Sequence, residues 1–397
     1  MSKKVLFCAT VDYHFHSFHL PYMKWFKEQG WEVHVAANGM LDLPYVDQKY
    51  TIPIQRTPFR LRNIHAYKAL KTIIDKNNYS IIHCHTPMGG VITRLAARKA
   101  RKHGTKVLYT AHGFHFYQGA PRMNWIIYYP IEKALAHYTD CLLTINQEDY
   151  ALAMEHRFKV NHIKRIHGVG VDIERFTPIT VLRKRQLRMQ HGYKLSDFLM
   201  FYAAEFNKNK NQQLLIQSLA LVKHELPNAR LLLAGDGPLI DSCKRLAMRL
   251  KVTDMVHFLG YRKDVSMLIP MCDVAVASSS REGLPVNIME AMACGLSVIA
   301  TDNRGHRELV CHGESGWLLA GESAEELSDK IKILSNNREL NAMFGRAGRK
   351  RIENKYALNK TLEEQSNIYT MFIEEEKNID VCVENTTRCR KYESWWH

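Results

Sequence analysis

The sequence predicts an α/β protein built from two doubly wound, Rossmann-like domains. Short apolar runs alternate with stretches of helical periodicity, which is typical of parallel sheets with helical crossovers. The alternation occurs twice, once in each half of the chain. The length of 397 residues also exceeds the roughly 250–300 residues at which a single hydrophobic core stops growing.

Five apolar runs in the first half predict five strands of one parallel sheet with right-handed crossovers. They are Lys4–Thr10, Glu32–Ala37, Ser80–His85, Lys106–His112 and Cys141–Asn146. A glycine-bearing strand exit that closes with a proline, Gly168–Pro178, predicts the end of this unit. The first domain is therefore expected to cover residues 1–178 and the second residues 179–357.

The second half repeats the scheme and predicts five further strands. They are Phe198–Ala204, Ala229–Gly235, Val256–Gly260, Val274–Ser278 and Ser297–Thr301. A glutamate-rich helical stretch follows at about residues 358–376. The remaining residues, 378–397, have mixed polarity without a clear period and are predicted to be a flexible tail.

Two carboxylates flank a turn in the second half. Glu282 follows an apolar, β-branched run, and Glu290 lies about one turn into a predicted helix that Gly295 is placed to end. Gly283 allows the chain to turn, and Pro285 suits a first helical turn. Loops at the carboxyl ends of parallel strands bind ligands in open α/β sheets. Because carboxylates accept hydrogen bonds and repel anions, they suit a ligand with several hydroxyl groups.

The segment Glu282-Gly-Leu-Pro285, followed by Glu290-Ala-Met-Ala-Cys-Gly295, resembles the glutamate-rich signature of the retaining glycosyltransferases of family 4. Members of this family have the GT-B fold, in which two Rossmann-like domains face each other across a cleft and a C-terminal helix crosses back to the first domain. The resemblance implies transfer of a sugar from a nucleotide diphosphate sugar, here expected to be a UDP-sugar, to an acceptor hydroxyl with retention of configuration.

The same resemblance implies roles for the residues of this signature. Glu290 would bind the ribose diol, Glu282 the donor sugar, and the N–H groups of Gly283 and Leu284 the departing diphosphate. Pro285 and Asn287 complete the donor-binding segment. The leaving phosphate would accept the proton of the acceptor, so an enzyme nucleophile is not required.

Lys208 and Lys210 follow the strand Phe198–Ala204, just before a helix predicted to begin near Gln212. A lysine beside a helix N-terminus can hold a diphosphate. Lys210 matches the lysine of the family pattern, whereas Glu205 stands where the family usually has an arginine. By the same resemblance, Arg262 lies beside the nucleotide base.

Histidines follow several predicted strands of the first domain. His112, in a Thr-Ala-His-Gly segment, matches the first-domain histidine of the family, and the resemblance makes it a catalytic contact to the donor sugar, together with Lys210 and Glu282. The loop after the first strand lacks the family's glycine pair, so Ser17 and His19 are candidates for acceptor contacts. The run from His83 to His85 is not interpreted as a metal cluster, because strand alternation turns Cys84 to the opposite face. No metal ion and no cofactor are expected.

A formal net charge of +15 and a pI near 9.3 indicate an anionic partner. Nucleic acid is not expected, because zinc-finger spacing, RNP-type motifs and a low-complexity basic tail are all missing from the sequence. A cluster of six basic side chains favours either a solvated helix face or a peripheral contact with anionic lipids, namely Arg94, Arg98, Lys99, Arg101, Lys102 and Lys106.

The sequence also predicts where the protein works. The nine cysteines form no CxxC pair, which favours reduced thiols and a cytoplasmic protein. The apolar run near the N-terminus is too short for a signal peptide, which favours the same location. The stretches Phe18–Pro21 and His112–Phe116 resemble bacterial capsular and exopolysaccharide glycosyltransferases. Their acceptors are commonly lipid-linked saccharides, which would place the enzyme peripherally at the inner face of the plasma membrane.

Two alternatives remain open at the level of the sequence. A hydrolysing UDP-sugar epimerase shares the fold and the donor, and would consume a UDP-sugar without an acceptor. A noncatalytic basic binding module would instead depend on exposed cations such as Arg98 and Lys102 and not on Glu282 or Lys210.

Overall fold

The computed structural model describes the backbone of residues 3–393 and the side chains of residues 3–375. The chain forms two compact units. Unit 1 comprises Met1–Ile166 and Leu362–His397, and unit 2 comprises His167–Thr361. Each unit contains one parallel β-sheet with helical crossovers.

Unit 1 is built on a seven-stranded parallel sheet with the strand order β3-β2-β1-β4-β5-β6-β7. Its strands are β1 (Lys4–Val11), β2 (Glu32–Asn38), β3 (Gln48–Thr51), β4 (Ile81–His85), β5 (Lys106–Ala111), β6 (Cys141–Thr144) and β7 (His162–Arg165). Its helices before the domain boundary are α1 (Tyr13–Phe18), α2 (Leu20–Glu28), α3 (Arg62–Lys76), α4 (Pro87–Ala96), α5 (Arg98–Lys102), α6 (Arg122–Leu135) and α7 (Gln147–Glu155). Strands β4 and β6 are buried along their whole length, as expected of a parallel sheet covered on both faces.

Unit 2 is built on a six-stranded parallel sheet with the strand order β10-β9-β8-β11-β12-β13. Its strands are β8 (Phe198–Ala203), β9 (Ala229–Ala234), β10 (Val256–Gly260), β11 (Val274–Ala277), β12 (Ser297–Thr301) and β13 (Gly316–Leu319). The helices are α8 (Val181–Gln190), α9 (Gln212–Val222), α10 (Ile240–Arg249), α11 (Val265–Leu268), α12 (Val286–Ala293), α13 (Arg304–Leu309), α14 (Ala324–Asn336) and α15 (Arg338–Arg351), followed by α16 (Leu358–Glu393).

The two doubly wound sheets confirm the predicted fold class, and all ten predicted strands are present with ends shifted by at most two residues. The prediction missed β3, β7 and β13. Each of these strands has four residues and lies at the edge of its sheet. An edge strand needs few buried apolar side chains, and β3 and β7 accordingly lack the apolar run that identifies a central strand. Strand β13 is apolar but has only four residues, Gly-Trp-Leu-Leu.

The boundary between the units lies between Ile166 and His167, whereas the sequence predicted it after residue 178. The intervening segment packs on unit 2. Val171 donates its backbone N–H to the Tyr356 carbonyl at 2.9 Å, and Arg349 donates to the Phe176 carbonyl at 2.8 Å. These contacts assign the glycine-rich segment to the second unit.

The terminal helix α16 begins in unit 2 and belongs to unit 1 from Leu362 onward. The Tyr369 hydroxyl lies 2.7 Å from His83 Nδ1, and Lys106 forms an ion pair of 2.9 Å with Glu375. The helix backbone continues to Glu393, through most of the segment predicted as a tail, while residues 394–397 lie outside the described part of the chain.

The six basic residues around Arg98 do not form one exposed cluster. Arg94 is 1% exposed and pairs with Glu132 at 2.8 Å, and Arg101 pairs with Asp140 at 2.9 Å. Exposed positions remain at Arg98, Lys99 and Lys102. Among the helices described between residues 3 and 393, none combines the length and the apolar character that a membrane span requires.

Candidate functional site

The candidate donor site lies where the strand order of unit 2 changes direction. From β8 the chain proceeds to β9 and β10 on one side, and it then returns to β11 and β12 on the other. The carboxyl ends of β8 and β11 therefore open into the crevice at a topological switch point, which is the usual ligand site of such a sheet. The loops that follow these two strands carry Lys210 and Glu282.

Lys210 and Glu282 form the central contact of this crevice. Lys210 Nζ lies 2.5 Å from Glu282 Oε1, and both side chains are mostly buried. The two loops are also joined by polar contacts, because Ser278 Oγ donates to the Lys210 carbonyl at 2.8 Å and Asn209 Nδ2 donates to the Arg281 carbonyl at 2.9 Å. The pair thus presents one positive and one negative group in fixed relation to each other.

Gly305 determines how closely the Glu282 loop can approach helix α13. A Cβ atom at position 305 would lie 2.6 Å from Glu282 Cβ and 2.9 Å from its carbonyl carbon. Beside it, Arg304 Nε donates to the Glu282 carbonyl at 3.1 Å, and Asn303 Oδ1 accepts from the Gly305 N–H at 3.0 Å. Because backbone atoms cannot yield as a flexible side chain does, only glycine fits here without a shift of the loop.

Glu290 lies in α12 and is partly buried. Burial raises the pKa of its carboxyl to about 7, against a usual value of 4.5, while Arg175 acts in the opposite direction. Gly295, with φ of +78°, follows this helix as predicted. Arg175 was not predicted as a site residue, because its segment was interpreted as the connection between the domains.

The other predicted donor residues have different environments. Asn287 Nδ2 donates to the Ala203 carbonyl at 2.9 Å and so fastens the start of α12 to the end of β8. Leu284 is buried, with its Cδ2 atom facing Gly168, and Pro285 precedes α12. Arg262 forms a two-point ion pair with Asp264, with distances of 2.8 and 2.5 Å. Lys208 is exposed, and Gly283 lies between Glu282 and Leu284 in the loop.

A cluster of four histidines occupies the corresponding switch point of unit 1, between β1 and β4. His14 and His19 follow β1, His85 is the last residue of β4, and His112 follows β5. His19 Nε2 lies 3.0 Å from His14 Nε2, and His85 Nδ1 lies 3.3 Å from His112 Nε2. His112 and His19 were predicted as separate site residues, and their proximity to His14 and His85 was not predicted.

The four rings of this histidine cluster are neutral at pH 7. Burial lowers the pKa of His14, His19 and His85 well below its usual value, with the neighbouring histidines acting in the same direction. Burial also lowers the pKa of His112 to about 4. Of the two acceptor candidates, His19 is buried within this cluster, whereas Ser17 is exposed.

Comparisons with known proteins give a consistent result for both units. The family model for glycosyl transferases group 1 matches residues 183–351, and the model for glycosyl transferase 4-like domains matches residues 4–146. The protein named "Putative glycosyltransferase EpsD" of Bacillus subtilis is 50% identical over 374 residues, which cover 94% of this chain and 98% of that one.

A more distant relative and a solved structure extend this comparison. The UDP-Gal:alpha-D-GlcNAc-diphosphoundecaprenol alpha-1,3-galactosyltransferase of Escherichia coli is 26% identical over 326 residues, covering 79% of this chain and 82% of its own. The crystal structure of Anabaena HepE in complex with UDP and glucose superimposes with a TM-score of 0.77 at 20% identity, covering 93% of this chain and all of that one. At this identity the superposition shows a shared fold.

Proposed function

Because this chain belongs to the glycosyltransferase family of group 1 and 4-like domains and has the GT-B fold, we propose that it transfers a sugar from a UDP-sugar to a hydroxyl of a lipid-linked saccharide, with retention of configuration. The family makes the chain a transferase. The donor, the acceptor and the stereochemistry are the proposal.

The observation that carries the donor assignment is the Lys210–Glu282 pair at the switch point of unit 2. A diphosphate beside Glu282 alone would be repelled, whereas Lys210 offers it a compensating charge. Glu282 is then suited to the sugar hydroxyls, which can donate hydrogen bonds to it. Glu290 binds the ribose diol in the same manner. Lys210 supplies the positive charge for the leaving diphosphate without a metal ion at this site.

The acceptor assignment has support from a relative. The E. coli relative carries in its name an acceptor sugar joined through a diphosphate to undecaprenol. An acceptor of this class would bring the enzyme to the inner face of the plasma membrane. His112 contacts the donor sugar in this proposal, and the leaving phosphate takes the proton from the attacking hydroxyl, so that bond formation and bond cleavage occur on one face of the sugar.

The test is a panel of UDP-, GDP- and ADP-sugars screened by thermal shift and by product formation with a lipid-linked acceptor. A ligand at 100 times its dissociation constant stabilises by about 2.7 kcal/mol, which is readily measured. We expect a UDP-sugar to raise the melting temperature of the wild type. Lys210→Met should strongly weaken the binding of this donor, and Glu282→Gln should reduce the rate of turnover.

Lys194→Met is the matched control, because Lys194 is exposed and precedes the start of β8, whereas Lys210 follows its carboxyl end. The absence of a shift with every nucleotide sugar would contradict the donor assignment. Consumption of UDP-sugar with release of a free epimer in the absence of acceptor would instead indicate the epimerase reaction. Full activity of the Lys210 and Glu282 variants would favour a noncatalytic role.

A further inference from the structure

We propose that His14, His19, His85 and His112 bind one divalent transition-metal ion of the zinc type in unit 1. The nitrogen atoms that these rings offer, one from each, all lie within 4.8 Å of one another. The inference goes beyond the proposed sugar transfer, which needs no metal ion at the donor site.

The spacing of the rings approaches that of a tetrahedral site. Zinc–nitrogen distances of about 2.0–2.1 Å place the ligand nitrogens about 3.3–3.4 Å apart. The His19–His14 and His85–His112 pairs, at 3.0 and 3.3 Å, are close to this value. The longer separations can close by rotation of His14 and His112, which are only partly buried. His19 and His85 are buried and provide the fixed half of the site.

The same two pairs indicate which nitrogen atoms would coordinate the ion. Within each pair the atoms that face each other are His14 Nε2 and His19 Nε2, and His85 Nδ1 and His112 Nε2. A neutral imidazole carries a lone pair on one nitrogen and an N–H on the other, so each ring can offer the facing nitrogen to a metal ion. The opposite nitrogens of His19 and His85, which are buried and have no hydrogen-bond partner in the described part of the chain, would then carry the N–H.

Neighbouring side chains define the limits of the site. His83 is not a ligand, because its two nitrogens already lie 2.7 Å from the Tyr369 hydroxyl and 2.8 Å from Thr110 Oγ1. Cys84 Sγ is engaged with the Leu108 carbonyl, 3.3 Å away. Four imidazoles favour zinc, copper or nickel over magnesium and calcium, which prefer oxygen ligands.

Four protein ligands leave no open coordination position, so the expected role is structural. The ion would link the segment after β1 to the carboxyl ends of β4 and β5, because its ligands come from all three places. Those three strands are adjacent in the sheet, and their carboxyl ends form the switch-point crevice of unit 1. It would also fix the ring of His112, the residue assigned to the donor sugar.

The test measures metal binding by the untagged, full-length protein after removal of metal with a chelator. One equivalent of Co²⁺ should give the intense visible absorption of a tetrahedral site, and one equivalent of Zn²⁺ should displace it and raise the melting temperature. His14→Gln should weaken Zn²⁺ binding by at least about tenfold. His16→Gln is the matched control, since His16 is an exposed histidine of the same helix, α1.

His85→Gln removes a buried ligand, and its spectrum is compared only if the variant keeps the wild-type circular dichroism. Failure of the wild type to hold one equivalent of Zn²⁺ against a competing chelator would overturn the proposal. Equal losses in His14→Gln and His16→Gln would do the same, because they would indicate adventitious surface binding. The readout is metal content, so the result is independent of whether a sugar donor is found.

Discussion

Gly305 controls the position of Glu282 through a contact that no other residue type can make. A methyl group at this position would lie within 3 Å of the Glu282 backbone. We therefore expect Gly305→Ala to displace the loop and to lower transferase turnover by about 100-fold, the loss that a shift of about 1 Å in a reacting group can cause. The measurement is kcat with the donor and acceptor found in the panel.

Gly321→Ala is the matched control for this prediction. A Cβ atom at position 321 would meet no atom within 4 Å, and the residue is exposed. This variant should keep wild-type turnover. Unchanged turnover in Gly305→Ala, with wild-type folding, would contradict the positioning role that the close approach implies.

The raised pKa of Glu290 predicts that the stability of the protein depends on pH. Its folded pKa of about 7 exceeds the usual 4.5, so the folded state holds the proton more tightly than the unfolded state. The associated stability is fully present below about pH 4.5 and is lost as the pH rises to about 7, to an extent of roughly 3 kcal/mol. The Glu290→Gln variant has no ionisable carboxyl group at this position, so it does not lose this stability as the pH rises. We expect the variant to gain stability relative to the wild type between pH 5 and pH 8 in urea denaturation, whereas a constant difference would argue against the raised pKa.

The residue scale also shows what the sequence could and could not predict. The structure brings the predicted site residues Lys210 and Glu282 into contact, because each follows a recognisable strand and the carboxyl ends of parallel strands share one edge of the sheet. The histidine cluster was not found. His14, His19, His85 and His112 lie on three separate strand exits, and only the strand order brings those exits together. A spacing rule within one segment cannot reveal such a cluster.

At the scale of elements, a buried ion pair joins α4 to α6. Arg94 Nη2 donates to Glu132 Oε2 at 2.8 Å, and the Tyr109 hydroxyl donates to Glu132 Oε1 at 3.2 Å. The Arg94 guanidinium also lies 3.9 Å from the centre of the Tyr109 ring. An arginine in a basic run would ordinarily be interpreted as solvated, and its carboxylate partner is distant in sequence, so the sequence alone placed Arg94 on the surface.

We expect Arg94→Met and Glu132→Gln each to reduce the free energy of unfolding by about 3–5 kcal/mol, because each leaves the other group buried without its partner. The double variant should lose less than the sum of the single variants, as measured in urea. Lys71→Ala serves as the control, since Lys71 pairs with Asp75 on the exposed face of α3. This variant should reduce the free energy of unfolding by only about 0.3–0.5 kcal/mol. Additive losses would show that Arg94 and Glu132 are not coupled.

The strands show the same dependence on context. All central strands were predicted, because burial on both faces requires continuous apolar runs. The missed strands β3 and β7 have the sequences Gln-Lys-Tyr-Thr and His-Ile-Lys-Arg, in which polar residues dominate. Their strand conformation comes from pairing with β2 and β6, respectively. Such pairing becomes visible only when the neighbouring strand is already in place.

At the scale of the whole molecule, the charge of +15 acts together with an exposed apolar surface in unit 1. This surface, which we call the Phe59 surface, consists of Phe59, Leu61 and Ile64 with the exposed Arg60 and Arg62 between them. Phe59 and Leu61 are 85% and 77% exposed, beside an apolar groove of about 420 Å³. Apolar side chains flanked by cations suit an anionic bilayer surface, where each nearby arginine contributes about 1 kcal/mol.

We therefore expect the protein to bind vesicles of equimolar phosphatidylglycerol and phosphatidylcholine in cosedimentation, and to bind vesicles of phosphatidylcholine alone much more weakly. Binding should fall as salt is added, because screening shortens the reach of the basic side chains. Phe59→Ala combined with Leu61→Ala should weaken binding at least about tenfold, since burying each of these side chains is worth about 1.5–3 kcal/mol. Leu182→Ala, which alters a comparably exposed leucine in unit 2, should bind as the wild type does. Binding that is insensitive to both salt and the Phe59 and Leu61 changes would exclude this surface as the membrane contact.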